Sequence, residues 1–452
     1  MRAIYLLAEQ KYRATRNSIQ FAALHVHWIA KKMTSFKKIY LHEQWSQPRC
    51  EVMPNDMTPT MKPAISRARR GCLAAAAIAV CAAAANAAAP NAAGEFPNPL
   101  PAEAIPKVET LPAKYPTSWS FLNYAGDRIE LRNVGSDSRE VKGQLQAHDS
   151  ATLLVPDKRP ELYVADTVWS RGSRGTRTDF ITVYDTHTLN PLGEIVLPGA
   201  KRALITAMEG LIAFTDEQRM ALVFNFTPAS SVTVVDLLKR QVLGEVEIPG
   251  CSLVYPSGTR GFSTLCASGT LLNVRLDANG AVAGRSESKA FNPLDTDPLF
   301  TASTLVGGVR YFPSLHGRVQ PIDMRADEVK VLPDWPLLAA GDQAGEWRPS
   351  GWQVVAGDEQ KLLYVLMQPQ AHEGTHKDPA TEVWVYNTAT KSRVKRLRLV
   401  RPGSSISLTH GAEPLLLVQA GERLDVYELG GALVRSLDLP GLHTRMLIEP
   451  VR

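Results

Sequence analysis

The sequence lacks the short motifs from which active sites are usually recognised. It contains no G-x-S-x-G nucleophile motif, no glycine-rich phosphate-binding loop and no C-x-x-C pair. These absences remove the usual sequence signals for an α/β-hydrolase, a nucleotide-binding protein and a thiol-disulfide or zinc-ribbon protein. The acidic residues are scattered, so no pair of catalytic carboxylates can be placed together. Sequence motifs therefore identify no catalytic residue in this chain.

Helical periodicity and a strong net charge are missing as well. No window of 12 or more residues after Trp119 shows convincing helical spacing. The formal net charge of +5 comes from residues 1–87, which hold 13 basic and 4 acidic residues and leave 37 basic and 41 acidic residues in 88–452. Because the body of the chain is mildly acidic, we expect no nucleic-acid partner.

The excess positive charge lies where a secretory signal peptide would place it. The basic segment 61–70 precedes about fourteen small or apolar residues from Cys72 to Ala85, a run too short to span a bilayer. Residues 85–87, Ala-Asn-Ala, fit the small-x-small cleavage rule. We predict a signal peptide at 61–87 and a mature chain without a membrane span. An uncleaved anchor is the alternative.

Two segments flank the predicted leader. Residues 1–60 precede it, although a signal peptide should open its protein, so we interpret them as a non-native or disordered upstream extension, with translation starting at Met57 or Met61. A real helical extension is the alternative. Residues 88–117 are rich in proline, alanine and glutamate and predict a flexible arm.

Cysteine is nearly absent from the predicted mature chain. Three of the five cysteines precede residue 88, which leaves only Cys251 and Cys266. Two cysteines in an exported chain are expected to form a disulfide, and closing such a loop contributes roughly 3 kcal/mol in the chain-entropy model. Two free buried thiols are the alternative.

The feature that recurs is a strand ending. Seven stretches alternate bulky residues before a polar stop, and successive stops are 41 to 64 residues apart. These stretches are Arg128–Asn133, Phe180–Asp185, Ser231–Asp236, Leu272–Asp277, Arg318–Asp323, Glu382–Asn387 and Leu424–Glu428. A unit of this length with three or four short antiparallel strands is typical of a propeller blade, because radial stacking buries both faces of each sheet. The sequence predicts an all-β fold, a seven-bladed β-propeller over 118–452. An array of β-sandwiches is the alternative.

One segment matches a metal-binding pattern. His372-Glu-Gly-Thr-His376 has the H-E-x-x-H spacing of zinc proteases, a chemistry that needs a helix to bring both imidazoles to one metal. The internal Gly374 and the flanking prolines disfavour a helix. We therefore expect an inserted loop between two strands and no metal site.

A basic segment is the first candidate for partner binding. Arg171, Arg174 and Arg177 alternate with glycines and predict a basic, kinked loop after a strand. A solvated hairpin whose arginines pair with local acids such as Asp179 is one interpretation. A docking loop for an acidic partner is the other.

A tryptophan-rich segment is the second candidate. Trp347, Arg348 and Trp352 lie within seven residues. Packing in the core of a blade is one interpretation. A hot spot of a subunit interface is the other, because tryptophan and arginine are enriched at such sites.

Taken together, these residues give the chain a family resemblance. It resembles the heavy subunit of the quinoprotein amine dehydrogenases, the methylamine and aromatic amine dehydrogenase family. The matching stretches are 174–185, 226–237, 346–353, 373–385 and the Cys251 to Cys266 pair. The stretch 373–385 is nearer the aromatic branch and 346–353 is nearer the methylamine branch, so the preferred amine stays open.

The resemblance implies a non-catalytic chain in a periplasmic assembly of two heavy and two light subunits. The cofactor, tryptophan tryptophylquinone, is expected in the light subunit, with no cofactor and no catalytic residue in this chain. The implied reaction converts a primary amine to an aldehyde and ammonia, and electrons pass to a blue copper protein such as amicyanin or azurin. This chain would hold the light subunit and form a wall of the amine channel.

The resemblance also assigns one residue. In the family a phenylalanine shortly before the first repeat's strand lines the substrate entrance, and that register places it at Phe121, eight residues before Ile129. A phenylalanine in the core of a blade is the alternative for this position. For the whole chain, the alternatives are a stand-alone periplasmic propeller that binds a ligand or metal and a scaffold without an associated enzyme.

Overall fold

A computed structural model describes residues 110–124, 128–136, 140–148, 150–358, 361–439, 441 and 445–451. The predicted upstream extension, the signal peptide and the arm as far as residue 109 lie outside the described residues. The described part is built from thirty strands and two short 3-10 helices, Pro198–Ala200 and Ala340–Gly345. In that part of the chain no helix has the length and apolar character needed to cross a membrane.

The strands form seven antiparallel sheets, which are the blades of a β-propeller. Blade 1 contains, from the inner to the outer edge, β30 (Met446–Pro450), β1 (Trp119–Tyr124), β2 (Arg128–Asn133) and β3 (Val141–Gln146). Blade 2 contains β4 (Thr152–Leu154), β5 (Glu161–Arg171), β6 (Arg174–Asp185) and β7 (Pro191–Leu197). Blade 3 contains β8 (Ile212–Thr215), β9 (Met220–Asn225), β10 (Ser231–Asp236) and β11 (Gln241–Glu247).

The other four blades repeat this order with small variations. Blade 4 contains β12 (Cys251–Pro256), β13 (Gly261–Cys266), β14 (Leu271–Leu276) and β15 (Val282–Glu287). Blade 5 contains β16 (Thr304–Val306), β17 (Val309–Pro313), β18 (Arg318–Asp323) and two short outer strands, β19 (Lys330–Val331) and β20 (Trp335–Pro336). Blade 6 contains two short inner strands, β21 (Arg348–Pro349) and β22 (Val355–Gly357), then β23 (Leu362–Gln368), β24 (Ala380–Asn387) and β25 (Ser392–Gly403). Blade 7 contains β26 (Ser405–Leu408), β27 (Leu415–Gln419), β28 (Arg423–Glu428) and β29 (Leu433–Asp438).

The prediction of an all-β, seven-bladed propeller is confirmed. Each of the seven predicted endings coincides with the third strand of one blade, counted from the axis. The third strand is hydrogen-bonded on both edges and covered by neighbouring blades on both faces, so its middle residues are buried whichever way they point. This enclosure explains why bulky apolar residues dominate these seven stretches.

The polar stop of each repeat has a local structural cause. The carboxylates of Asp185, Asp236, Asp277 and Asp323 each accept hydrogen bonds from backbone N–H groups two to four residues ahead. Such turns place the next strand beside the third one, and short side chains with an acceptor oxygen favour them. Donation from the Thr188 backbone N–H is the main reason why the pKa of Asp185 lies below its ordinary value.

The C-terminal strand closes the ring. Strand β30 pairs with β1 in antiparallel register, from Ser120 opposite Pro450 to Tyr124 opposite Met446. Blade 1 therefore combines the two ends of the described chain, and its inner strand is the last one in the sequence. This pairing covers the edge of β1 that would otherwise be the inner edge of the first blade.

The two faces of the ring carry different loops. Because successive strands run antiparallel, the loops between second and third strands lie on the same face as the links from one blade to the next. We call this face the connection face. It holds most of the residues that the sequence singled out as candidates for partner binding.

Two further contacts fix the body of the propeller. The predicted disulfide is present between Cys251 and Cys266, which are directly opposite each other on β12 and β13. Tyr115 packs against Trp119 with ring centroids 5.5 Å apart and donates a hydrogen bond to the carbonyl of Thr186. The packed structure therefore includes the last residues of the predicted arm.

Candidate functional site

The basic segment forms a hairpin that extends blade 2 on the connection face. Strands β5 and β6 have 11 and 12 residues, and Arg171 pairs with Arg174 across the turn. Gly172 and Gly175 have φ of 67° and 102°, which a residue with a side chain rarely adopts. The predicted loop is thus a paired hairpin, and the side chains of Arg171 and Arg174 are exposed at its tip.

The base of the hairpin is held by a buried charge network. Arg177 donates two hydrogen bonds, of 2.8 and 2.9 Å, to the carboxylate of Asp179. The same carboxylate accepts from the backbone N–H of Arg202 and from the hydroxyl of Thr167. Burial lowers the pKa of Arg202 to about 10, so its guanidinium stays charged at neutral pH. Arg177 therefore has the local ion pair with Asp179 that the sequence suggested, and it fixes the direction of the exposed tip.

Trp347 and Arg348 take part mainly in packing within blade 6. The ring of Trp347 lies 5.1 Å from that of the fully buried Trp384, and the guanidinium of Arg396 lies 4.7 Å above it. Arg348 forms an ion pair of 2.9 Å with Glu373. These contacts favour the core interpretation for Trp347.

Trp352 has a different position, next to the axis of the ring. Its indole N–H donates a 3.0 Å hydrogen bond to the carbonyl of Ala207, in the link between blades 2 and 3. The guanidinium of Arg445 lies 4.8 Å above the indole ring. Because blades 3 and 6 are nearly opposite each other, this hydrogen bond crosses the axial opening on the connection face.

A cavity of about 550 Å³ lies beside Trp352. Its wall comes from six separate parts of the sequence, all near the connection face. The wall residues include Ile205, Met208, Phe300, Leu315, Trp352, His376, Lys377 and Arg445. This volume is in the range of pockets that hold small molecules or anchor side chains of a partner.

The segment with zinc-protease spacing contributes to this region as a loop. Residues 369–379 join β23 to β24 through turns, without a helix, as predicted. Glu373 is bound by Arg348 and lies 3.3 Å from the imidazole of His316, whereas His376 lines the cavity. Among the residues the structure describes, no three His, Cys, Asp or Glu side chains are grouped so as to hold a metal ion. Burial and then the charge of Lys377 lower the pKa of His376, so its imidazole is neutral at pH 7.

Two carboxylates that sequence reasoning missed lie close to the axis. Glu209 forms a 2.6 Å ion pair with Arg310 and accepts a hydrogen bond from the backbone N–H of Ser303. Glu449 lies on β30, at the inner edge of blade 1. Burial and the nearby charge of Glu209 raise the pKa of Glu449 to about 8. Glu209 and Glu449 are far apart in the chain, so no motif could have paired them.

We expect Glu449→Gln to stabilise the fold above pH 8. Folding raises the pKa of this carboxyl to about 8. The free energy of unfolding therefore falls as pH rises from the ordinary pKa of a glutamate toward about 8. Glutamine stays neutral, so the melting temperature of the variant at pH 9 should exceed that of the parent by a few degrees. This is the shift expected for a difference of about 1 kcal/mol in the free energy of unfolding. At pH 5 the melting temperatures of the variant and the parent should be nearly equal.

The control for this experiment is Glu247→Gln, which changes an exposed glutamate on β11. Thermal unfolding followed by circular dichroism at both pH values gives the comparison. An equal shift for Glu449→Gln at pH 5 and pH 9 would contradict the expectation, because the effect would then not arise from the charge.

Phe121 lies inside blade 1. It is on β1, its side chain is fully buried, and the ring of Tyr115 is 6.1 Å away. It belongs to a hydrophobic cluster shared with Ile129 and Leu131. This placement favours the core alternative that was considered for the residue, and the entrance role stays a prediction.

Comparisons with known proteins point to one family. A family model described as "Methylamine dehydrogenase heavy chain (MADH)" matches residues 133–434. The methylamine dehydrogenase heavy chain of Methylorubrum extorquens is 27% identical over 286 residues, 63% of this chain and 69% of that protein. That of Paracoccus versutus is 30% identical over 284 residues, 61% of this chain and 66% of that protein. That of Methylophilus methylotrophus is 24% identical over 366 residues, 78% of this chain and 89% of that protein.

Proposed function

Because the chain belongs to the methylamine dehydrogenase heavy chain family, we propose that it is the non-catalytic heavy subunit of a periplasmic amine dehydrogenase. The complex would convert a primary amine to an aldehyde and ammonia. Methylamine is the first substrate to test, since the curated relatives are methylamine dehydrogenase heavy chains. An aromatic amine is the second. The electrons would pass to a blue copper protein.

The observation that carries the proposal, beside the family, is the composition of the connection face. It combines the exposed arginines of the hairpin tip with exposed apolar residues in the adjacent loops, Leu204, Ile205 and Phe226, which are 39%, 42% and 63% exposed. Exposed apolar side chains beside arginines are typical of surfaces that bind another protein. We assign the light subunit to this face.

The adjacent pair Trp347 and Trp384 does not fit the quinone cofactor of the family. Trp347 and Trp384 lie next to each other, but Trp384 is fully buried and its indole N–H donates to Glu382. An amine could not reach a quinone carbonyl at that position. We propose, as the family resemblance implies, that tryptophan tryptophylquinone is carried by the light subunit, and no reaction step is assigned to residues of this chain.

The residues of this chain would act by positioning the partner. The network of Arg177, Asp179 and Arg202 holds the hairpin at a fixed angle, so the two exposed arginines are presented without loss of backbone freedom on binding. In the proposed tetramer, each heavy chain would orient one light chain so that its quinone opens toward the substrate channel.

The direct test is purification of the native complex. We expect this chain to copurify with a short, cysteine-rich, tryptophan-containing secreted chain whose quinone absorbance bleaches on addition of methylamine. A colourless single chain that does not respond to amines would support the alternative of a stand-alone periplasmic propeller or scaffold. Addition of phenylethylamine to the same sample would separate the two substrate branches.

We expect Arg174→Glu to weaken light-chain binding about tenfold at low salt, or about 1.4 kcal/mol. The reversal places a negative charge where the proposed partner is acidic. Binding of purified light subunit to the full chain, measured by calorimetry, gives the affinity. The matched control is Lys239→Glu, an exposed lysine in a turn on the opposite face. Equal affinities of the Arg174→Glu and Lys239→Glu variants would show that the interface does not include the hairpin.

A further inference from the structure

The cavity beside Trp352 has apolar walls that no part of the described chain fills. Phe300, Leu315 and Met208 form its sides, and the half-exposed Ile205 lies at its opening. Trp352 closes the side nearest the axis. A concave space with apolar and aromatic walls favours the body of a small organic molecule over a hydrated ion.

The cavity is held open by contacts between distant parts of the chain. The backbone N–H of Gly351 donates to the carbonyl of His376 at 3.1 Å, and the indole of Trp352 donates to Ala207. Gly351 has φ of 132°, and a Cβ atom there would lie 2.6 Å from the carbonyl oxygen of Ser404. The wall thus depends on close backbone approach and is formed before a ligand arrives, which lowers the entropic cost of binding.

The polar groups of the wall favour one sign of ligand charge. Lys377 and Arg445 both line the cavity, and neither forms an ion pair with a carboxylate of the described residues. The nearby Glu373 is engaged by Arg348 and His316. The wall therefore presents two cations and no carboxylate.

We propose that this cavity binds a small molecule with a carboxylate group on an aromatic or aliphatic body. Arg445 and Lys377 would hold the carboxylate at the mouth, and Phe300, Leu315 and Trp352 would surround the apolar part. Arginine suits this role because its planar guanidinium can donate two hydrogen bonds to one carboxylate. All of its wall residues belong to this chain. Because Ile205 at the opening is also part of the face assigned to the light subunit, binding is measured on the free chain.

The probe for the test is 3-phenylpropionate, titrated into the full chain at pH 7 and low salt in a calorimeter. We expect saturable binding with one site per chain. The matched probe 3-phenylpropylamine has the same apolar body and a positive charge at pH 7. It should bind at least about tenfold more weakly, because the two cations of the wall repel it.

Two variants test the two halves of the site. Replacement of both cations, Lys377→Gln with Arg445→Gln, should weaken binding of 3-phenylpropionate at least about tenfold. Ile205→Trp should block the opening while both charges remain, and it should weaken binding to a similar degree. Because Ile205 is 42% exposed, the larger side chain should not disturb the core.

The control is Lys239→Gln with Lys330→Gln, which removes the same charge from exposed lysines away from the cavity. Its affinity should stay within about twofold of the parent, and all variants should unfold at similar temperatures. Three results would each overturn the proposal: no saturable binding, equal binding of the amine probe, or full affinity in the Lys377 and Arg445 variant. The outcome of the Arg174→Glu test of light-chain binding does not change the result expected for 3-phenylpropionate. The proposed function and the proposed carboxylate site can therefore be refuted separately.

Discussion

A chain that ends at Arg445 is expected not to form the folded ring. The deletion removes β30, which supplies the inner strand of blade 1 and places Met446, Leu447 and Ile448 in buried positions. Burial of each such side chain contributes roughly 1.5–3 kcal/mol, and the total stability of a domain is about 5–15 kcal/mol. The lost strand therefore accounts for a large share of the stability.

Hydrogen bonds between blades would be lost with the strand. The side chain of Gln353 accepts from the backbone N–H of Ile448 and donates to its carbonyl, at 3.0 and 3.1 Å. Ser405 donates to the carbonyl of Met446. After deletion, these polar groups of blades 6 and 7 would lose their partners near the axis, and an unsatisfied buried group costs about 1–3 kcal/mol.

Thermal unfolding and limited proteolysis provide the measurements. The truncated chain should lack a cooperative transition and should be cleaved throughout the propeller. Ile448→Val is the control, because it keeps the strand and is expected to cost only about 0.5–1.5 kcal/mol. A truncated chain that melts cooperatively near the parent temperature would show that β30 does not hold the ring closed.

Phe121→Ala is expected to destabilise the propeller by about 3–5 kcal/mol. The side chain is fully buried in blade 1, and replacement by alanine leaves a cavity among Tyr115, Ile129 and Leu131. Denaturant unfolding of the full chain measures the loss. Phe226→Ala is the matched control, since this phenylalanine is 63% exposed and its removal should change stability by less than about 0.5 kcal/mol.

The same position can be tested for the entrance role without unfolding the protein. Phe121→Leu retains most of the apolar volume, so the assembled complex should form and its kinetics can be measured. If Phe121 acts only in the core, kcat/KM ratios across amines of different chain length should match those of the parent. A changed preference with intact assembly would support the entrance role that the family resemblance implies.

The sequence alone was sufficient for the number and position of the blades. The alternating apolar residues of the third strands and the turn-forming Asp185, Asp236, Asp277 and Asp323 act over a few residues, so they are visible in any local window. The disulfide could be predicted for a simpler reason, since only two cysteines follow the predicted leader.

The candidate site could be predicted only in part. The sequence singled out Arg171, Arg174 and Trp352, but it did not separate them from Arg177 and Trp347, whose contacts are local to the base of the hairpin and to blade 6. Burial decided these roles. A residue type can suggest either an interface or a core, and only the neighbours from other strands show which applies.

What the sequence by itself determined is the repeating unit and the count of seven, because strand pairing and turns within a blade depend on nearby residues. The closed ring decided what lies at the axis: Trp352 bonded to Ala207, Glu209 near Glu449, and the cavity beside Trp352. Ala207 and Trp352 are separated by more than a hundred residues in the chain, and so are Glu209 and Glu449. Their proximity leaves no periodic pattern in the sequence, since it is fixed by the radius of the ring and by the angle at which successive blades pack.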